Sequence, residues 1–181
     1  MTESVIENIV AFAQVSKSFD VERMSESVEN CSYNPDEFNG LTMKFDEPKV
    51  AVLVLSNGKV ICTGSKSVEE VNTAFKKSVK KIKDSGFSVK KDYKIKFDNI
   101  VVSSDFKKEI DLEHTSKSLP LKDVEYKPED FPGLVYKADR YGSVLLLFKS
   151  GKVISTGAKE VDNASKSIEL LEEKLTSIGV L

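Results

Sequence analysis

The sequence contains no tryptophan, a single histidine and only two cysteines. The two cysteines, Cys31 and Cys62, are too few for a disulfide scaffold and lack metal-ligand spacing, so they predict neither a disulfide-rich domain nor a zinc site. No segment reaches the roughly 18 consecutive apolar residues of a membrane-spanning helix, and the acidic N-terminus is unlike a signal peptide. We therefore expect an intracellular protein with no cofactor, no metal and no membrane partner.

A catalytic constellation is also missing. His114 is the only histidine, and a lone histidine is more often a structural or surface residue than a catalytic one. Residues 58–66 contain two glycines and two lysines, but not in the order of a phosphate-binding loop. We therefore predict that the protein is not an enzyme.

Neither sign of charge is in excess, since 27 Lys and Arg residues against 29 Asp and Glu residues give a net charge of −2. Overall charge therefore does not favour a nucleic-acid partner, and only an uneven distribution of charge could do so. A net charge near zero also gives little repulsion between copies of the chain.

What the sequence does contain is a long internal repeat. Residues 33–66 and 126–159 are 34-residue blocks that share 15 identities at a constant offset of 93. Both contain a Tyr-x-Pro-x-x-Phe segment and end in Gly-Lys-Val-Ile-x-Thr-Gly-x-Lys. A repeat that is present twice and fills the chain indicates two tandem modules rather than a solenoid. We place the repeats at residues 1–91 and 92–181 and expect them to present two related surfaces to one ligand.

Each repeat predicts the same order of elements. A first strand is expected at residues 5–13 and 95–103, and a short helix at 20–28 and 112–119. Three strands should follow in each repeat: 41–45, 50–55 and 59–63, then 134–137, 144–148 and 152–156. Apolar residues at spacings of three and four then predict a long amphipathic helix, which begins with a Ser67/Glu70 capping box in the first repeat. This order is typical of an α+β fold with an antiparallel sheet and helices on one face.

The central strands carry more apolar side chains than such a fold can bury against its helices. Val52, Val54, Val60 and Cys62, with Leu145, Leu147 and Val153, form one alternating set that should pack on the helices. The other set is Leu53, Leu55, Ile61 and Thr63, with Leu146, Phe148, Ile154 and Thr156. Two interpretations of that second set are open: it is buried within the protein or a dimer, or it is a surface reserved for a ligand.

At this point the chain resembles the TATA-box-binding protein family, most closely its archaeal type. The motifs are Glu-Asn-Ile-Val at residues 7–10, Asp-Asn-Ile-Val at 98–101, the two Tyr-x-Pro-x-x-Phe segments, Phe-Pro-Gly-Leu at 131–134 and the two Gly-Lys-x-x-x-Thr-Gly-x-Lys stretches. The resemblance implies a pseudo-twofold saddle, with a ten-stranded antiparallel sheet beneath four helices. This family is itself the usual example of proteins whose apolar wedges kink a duplex from the minor groove.

The resemblance implies a general transcription initiation factor that binds and bends double-stranded TATA-like DNA. Its expected partners are a B-type initiation factor and the RNA polymerase machinery, with a possible homodimer in the absence of DNA. Its expected location is the cytoplasm, associated with the nucleoid, for an archaeal member and the nucleus for a eukaryotic one. The alternative is a saddle-type accessory module that binds another nucleic acid or a protein.

The resemblance also implies site residues. Asn8 and Asn99 should read the centre of the site, where A·T pairs offer only acceptors, with the hydroxyls of Thr63 and Thr156 beside them. The apolar floor is Val10, Val101, Leu53, Leu146, Ile61 and Ile154. The wedge positions are Phe38 and Leu55 in the first repeat and Phe131 and Phe148 in the second. The lysines expected to contact the DNA backbone are Lys44, Lys59, Lys66, Lys137, Lys152 and Lys159.

Five departures from the family pattern affect function. Leu55 stands where a fourth phenylalanine is usual, which predicts unequal ends of the bent site. Glu7 and Asp98 bring negative charge next to the two asparagines. In the loop that docks the B-type factor, represented here by Lys127, Glu129 and Asp130, Lys127 replaces a usual glutamate and Asp130 a usual leucine. We expect these changes to alter affinity and partner choice and to leave the fold intact.

Overall fold

The computed structural model describes residues 2–181, which form two compact units. The N-terminal unit comprises Asn8–Asp98, and the C-terminal unit comprises Asn99–Leu181 with the segment that ends at Glu7. Each unit contains five antiparallel strands and two α-helices. None of the helices formed by residues 2–181 is long and apolar enough to span a membrane.

The strands of the N-terminal unit lie in the order β2-β3-β4-β5-β1. Their bounds are β1 Ser4–Gln14, β2 Cys31–Tyr33, β3 Gly40–Asp46, β4 Lys49–Leu55 and β5 Lys59–Ser65. In the ladder Thr42 lies opposite Leu53, and Leu53 lies opposite Ile61. The tight turn between β4 and β5 contains Asn57 and Gly58, as the dipeptide predicts.

The C-terminal unit repeats this order as β6-β10-β9-β8-β7. Its strands are β6 Lys96–Asp105, β7 Val124–Glu125, β8 Leu134–Ala138, β9 Ser143–Leu147 and β10 Lys152–Ala158. A short 3₁₀ helix, Asp139–Tyr141, links β8 to β9. The strands β2 and β7 were not predicted, because segments of three and two residues are too short to show an alternating pattern.

The four α-helices are α1 Val21–Ser27, α2 Val68–Asp84, α3 Leu112–Ser118 and α4 Val161–Ser177. The N-caps of α1 and α3 are equivalent aspartates, Asp20 and Asp111, each of which accepts a hydrogen bond from the third residue of its helix. The predicted cap of α2 is present, since the Glu70 amide donates to Ser67 Oγ over 3.1 Å. The Glu70 carboxylate, however, accepts from the Lys66 amide rather than from the Ser67 amide.

The two long helices cover one face of each sheet. Val71, Phe75 and Ile82 of α2 have no exposed surface, and α2 packs on β4 and β5 while α4 packs on β9 and β10. Burial of each such side chain contributes about 1.5–3 kcal/mol. The predicted helix-facing set is confirmed, because these residues are fully buried: Val52, Val54, Val60, Cys62, Leu145, Leu147 and Val153. The opposite surface of each sheet, which its helices leave uncovered, is called the open face below.

Candidate nucleic-acid interface

The open face of the C-terminal unit carries Asn99 on β6, next to an irregularity in the sheet. The register between β6 and β10 shifts between Ser155 and Ala158, and Gly157 has a φ of +99° there, a conformation that favours glycine. The amide of Gly157 donates to Asn99 Oδ1 over 2.7 Å, and Thr156 Oγ1 donates to the same oxygen over 3.3 Å. Both bonds fix the side-chain orientation, because an N–H and a hydroxyl hydrogen can be accepted only by the amide oxygen.

Asn8 has the equivalent environment in the N-terminal unit. The register between β1 and β5 shifts between Ile9 and Ala11, Gly64 has a φ of +98°, and its amide donates to Asn8 Oδ1 over 2.7 Å. Here Asn8 Nδ2 donates to Thr63 Oγ1 over 3.4 Å. In each unit the carboxamide oxygen is thus occupied by the protein and the Nδ2 group remains as a donor on the open face.

Apolar side chains surround each asparagine. Val10, Leu53 and Ile61 in the N-terminal unit are half-buried, as are Val101, Leu146 and Ile154 in the C-terminal unit. Register places Leu53 opposite Ile61 and Leu146 opposite Ile154. The floor residues implied by the resemblance therefore lie together on the open face of each unit.

The four wedge positions form one pair in each unit. The rings of Phe131 and Phe148 meet edge to face, with centroids 5.8 Å apart and planes inclined at 66°. In the N-terminal unit Phe38 and Leu55 both pack over Gly40, where an added Cβ would lie 2.6 Å from Phe38 Cε2 and 3.0 Å from Leu55 Cδ2. A glycine is needed at this position because any side chain would displace the pair.

The lysines lie at the margins of the floor. Lys44, Lys66, Lys137, Lys152 and Lys159 are exposed, whereas Lys59 is half-buried. Lys44 shares a row with Ala51 and Thr63, and Lys137 shares the equivalent row with Val144 and Thr156. Lysines therefore flank the apolar floor even though the overall composition has no excess of positive charge.

An acidic residue precedes each of the two asparagines. Glu7 is exposed, and one of its carboxylate oxygens accepts a 2.5 Å hydrogen bond from Ser103 Oγ in the C-terminal unit. Asp98 is exposed in the N-terminal unit. The sequence showed both carboxylates, but the serine that holds Glu7 was not predicted.

The predicted partner-binding loop begins after β7 and is closed by hydrogen bonds from the amides of Asp130 and Phe131 to the Lys127 carbonyl, over 3.0 and 2.9 Å. Lys127, Glu129 and Asp130 are exposed. Lys127 Nζ also forms an ion pair with Glu125 Oε1 over 2.7 Å. This hydrogen bond raises the pKa of Lys127 and lowers the pKa of Glu125. Glu125 was not singled out from the sequence, since it lies on the unpredicted strand β7.

His114, the only histidine, is exposed on α3. Its amide is capped by Asp111 over 3.0 Å. It lies on a helix rather than on an open face, which is consistent with the expectation of a structural or surface residue.

Comparison with known proteins identifies the family. The sequence model described as "Transcription factor TFIID (or TATA-binding protein, TBP)" matches residues 3–85 and 94–178. The TATA-box-binding protein of Archaeoglobus fulgidus is 42% identical over 176 residues, which cover 97% of this chain and 96% of that protein. That of Methanothermobacter thermautotrophicus is 41% identical over 176 residues, with the same coverage.

The solved structure of Methanococcus jannaschii TBP resembles the protein with a TM-score of 0.85 and 38% identity, and the match covers 97% of this chain and 99% of that one. The predicted α+β fold of two tandem repeats, with ten antiparallel strands and four helices, is therefore confirmed. The family is one of DNA-binding transcription factors rather than enzymes. With matches to both repeats and to archaeal relatives over nearly its whole length, the chain belongs to the TATA-box-binding protein family.

Proposed function

We propose that the protein is a general transcription initiation factor that binds A·T-rich, TATA-like promoter DNA through the minor groove. The observation that carries this proposal is the pair of carboxamides, Asn8 and Asn99, each held by a glycine amide at 2.7 Å. This leaves Asn99 Nδ2 and the second hydrogen of Asn8 Nδ2 as donors for a ligand. A·T pairs present only acceptors in the minor groove, from adenine N3 and thymine O2. A fixed donor in an apolar surround matches those edges.

The same arrangement discriminates against G·C pairs. Guanine adds an N2 amino group to the minor groove, and an asparagine donor and an apolar floor offer that group no acceptor. A donor buried without a partner costs about 1–3 kcal/mol. The floor therefore favours A·T pairs by the chemistry of its side chains, and the marginal lysines add affinity without sequence preference.

The two wedge pairs support bending of the bound DNA. Proteins that bind the minor groove, of which this family is the usual example, insert apolar side chains between base steps and kink the duplex. Phe131 and Phe148 form an aromatic pair of this kind, whereas Phe38 is paired with the smaller Leu55. We expect a bend with unequal ends, the weaker one at the N-terminal unit.

We further propose that the two repeats, residues 1–91 and 92–181, act together as one DNA-binding saddle that recruits a B-type initiation factor and RNA polymerase. The loop containing Lys127, Glu129 and Asp130 is the proposed docking surface, since its side chains are exposed. By analogy with the archaeal relatives, the protein would act in the cytoplasm on the nucleoid. Without DNA, the open faces would favour a homodimer, because large contiguous apolar surfaces are rarely left in water.

A titration of the protein against two labelled duplexes at one fixed salt concentration tests the proposal. The duplexes have the same length, one with a TATA-like centre and the other rich in G·C. We expect binding to the A·T-rich duplex to be at least tenfold tighter, in line with about 1–3 kcal/mol for each wrong pair. Equal affinity for the two duplexes would favour the accessory-module alternative, and binding to neither would favour a protein ligand.

A further inference from the structure

The two units differ at one position of the open face. Phe12 lies four residues after Asn8, and Ser103 lies four residues after Asn99. Phe12 is opposite Ile61 in the β1–β5 ladder, and Ser103 is opposite Ile154 in the β6–β10 ladder. The two positions are thus equivalent, yet one carries an aromatic ring and the other a hydroxyl.

Phe12 is part of the open face and not of the core. Its neighbours Ala11 and Ala13 are turned to the helices, with at most 1% of their surface exposed, whereas Phe12 is half-buried. The Lys59 ammonium lies 4.0 Å from the centroid of the ring, a cation–π contact that holds both side chains in place. The N-terminal unit therefore presents a fixed aromatic ring, with no hydrogen-bond acceptor in its side chain, next to its floor.

The C-terminal unit is open and acidic at the equivalent position. Ser103 Oγ donates to Glu7 Oε1 over 2.5 Å. Beside them is an open hollow of about 450 Å³, lined among others by Val5, Val101 and Phe148. The bond to Ser103 holds the Glu7 carboxylate at the edge of this space, and a carboxylate can accept more than one hydrogen bond.

We propose that this difference makes the two units unequal readers of a G·C pair: the C-terminal unit accepts the guanine N2 amino group at Glu7, and the N-terminal unit excludes it with Phe12. The inference rests on the proposed minor-groove binding. The amino group is the single donor that the minor groove presents, and a carboxylate is a strong acceptor for it. The Phe12 ring offers it no acceptor. A site with one G·C pair would then be bound in a single orientation.

Three duplexes built on one palindromic site test this inference whichever way round the protein binds. The first contains only A·T pairs in its central site, the second has one G·C pair in one half, and the third has it in both halves. The position of the pair is scanned symmetrically through the site. We expect the second duplex to bind almost as well as the first, since the protein can turn its C-terminal unit to the G·C half, and the third to bind about tenfold more weakly.

Two substitutions exchange the character of the units. Phe12→Ser should lessen the penalty on the third duplex, and Ser103→Phe should make the second duplex bind about as weakly as the unaltered protein binds the third. Phe87→Ser is the matched control, since Phe87 is also half-buried in the N-terminal unit, with Arg23 of α1 5.6 Å above its ring. It should leave the ratios between duplexes unchanged.

The outcomes separate the two proposals. If the unaltered protein prefers A·T-rich DNA but already loses about tenfold in affinity with one G·C pair, or loses none with two, the inference is overturned and the proposed function stands. The inference is also overturned if neither exchange moves the ratios, with thermal unfolding showing that the variants are folded. Failure of the unaltered protein to bind any of the duplexes overturns both.

Discussion

Asn99→Asp separates a base-reading role for this residue from a structural one. In the folded protein Asn99 Oδ1 accepts a hydrogen bond from the Gly157 amide at 2.7 Å, and an aspartate oxygen can accept the same bond. The substitution therefore preserves the β-bulge at Gly157, where the register between β6 and β10 shifts. It changes only the group that faces the ligand, from an amide donor to a carboxylate acceptor. Against the acceptor-only edges of an A·T pair, that exchange turns an attraction into a repulsion.

The expected magnitude follows from the contact that is lost. One good base contact contributes about 1–3 kcal/mol, which corresponds to roughly 5- to 150-fold in the dissociation constant. The negative charge of the aspartate adds to this loss, so we expect the upper half of that range. Thermal unfolding of the free protein should change little, because the hydrogen bond to Gly157 is retained.

Two further variants complete the experiment. Asn99→Ala removes the donor and the acceptor, so it should weaken binding. It should also destabilise the fold by about 0.5–1.5 kcal/mol for each of the two hydrogen bonds that Asn99 Oδ1 accepts. Asn72→Asp makes the same chemical change at an exposed position of α2, away from the open face, and should affect neither property. Anisotropy titrations on a TATA duplex measure all three variants. If Asn99→Asp binds like the unaltered protein while Asn99→Ala does not, Asn99 serves the bulge and our reasoning is wrong.

Three other predictions follow from the same site. Leu55→Phe should tighten binding or increase the bend measured by fluorescence transfer across a TATA duplex, whereas Leu121→Phe, at an exposed position, should do neither. If Leu55→Phe changes neither binding nor bend, the two wedge pairs are not unequal in the way proposed. Lys127→Glu should improve ternary-complex formation with the B-type factor of a relative whose own TATA-box-binding protein keeps glutamate at this position, and it should impair complex formation with the cognate factor. Lys117→Glu, at another exposed lysine in an ion pair, should alter neither. Free protein should self-associate in sedimentation experiments at high concentration and dissociate when DNA is added, because the second copy and the DNA would use the same open faces. A DNA-bound dimer joined through the open faces would contradict this prediction.

Much of the fold could be predicted because its signals are local and occur twice. Because side chains point alternately to the two faces of a strand, residues 50–55 and 144–147 could each be assigned to a face once the strands were predicted. The capping residues Asp20 and Ser67 lie at the start of real helices. Strands β2 and β7 could not be predicted in this way. They exist because neighbouring strands β3 and β8 offer unpaired edges, which is a property of the assembled sheet and not of either short segment.

In the site, too, some features could be predicted from local sequence, whereas others depend on how the strands pair. The resemblance supplied Asn8 and Asn99, but the reason for an asparagine is the bulge at Gly64 and Gly157, which becomes visible only once β1 and β6 are paired with their neighbours. Likewise Lys127 could be recognised as unusual. Its ion pair with Glu125 follows from the strand that precedes the loop, so the local change in charge is smaller than the sequence alone suggests.

Phe12 escaped notice for a related reason. The repeated blocks align at an offset of 93, whereas Asn8 and Asn99 are separated by 91 residues, so a comparison confined to the blocks never sets Phe12 beside Ser103. The two residues are the fourth after Asn8 and after Asn99, and their ladder partners Ile61 and Ile154 confirm that they are equivalent. A duplicated fold can therefore keep its floor nearly symmetric while the strand outside the aligned blocks makes its halves different. In this protein the difference lies beside the residues proposed to read the bases, which is where a loss of symmetry would set the direction of binding.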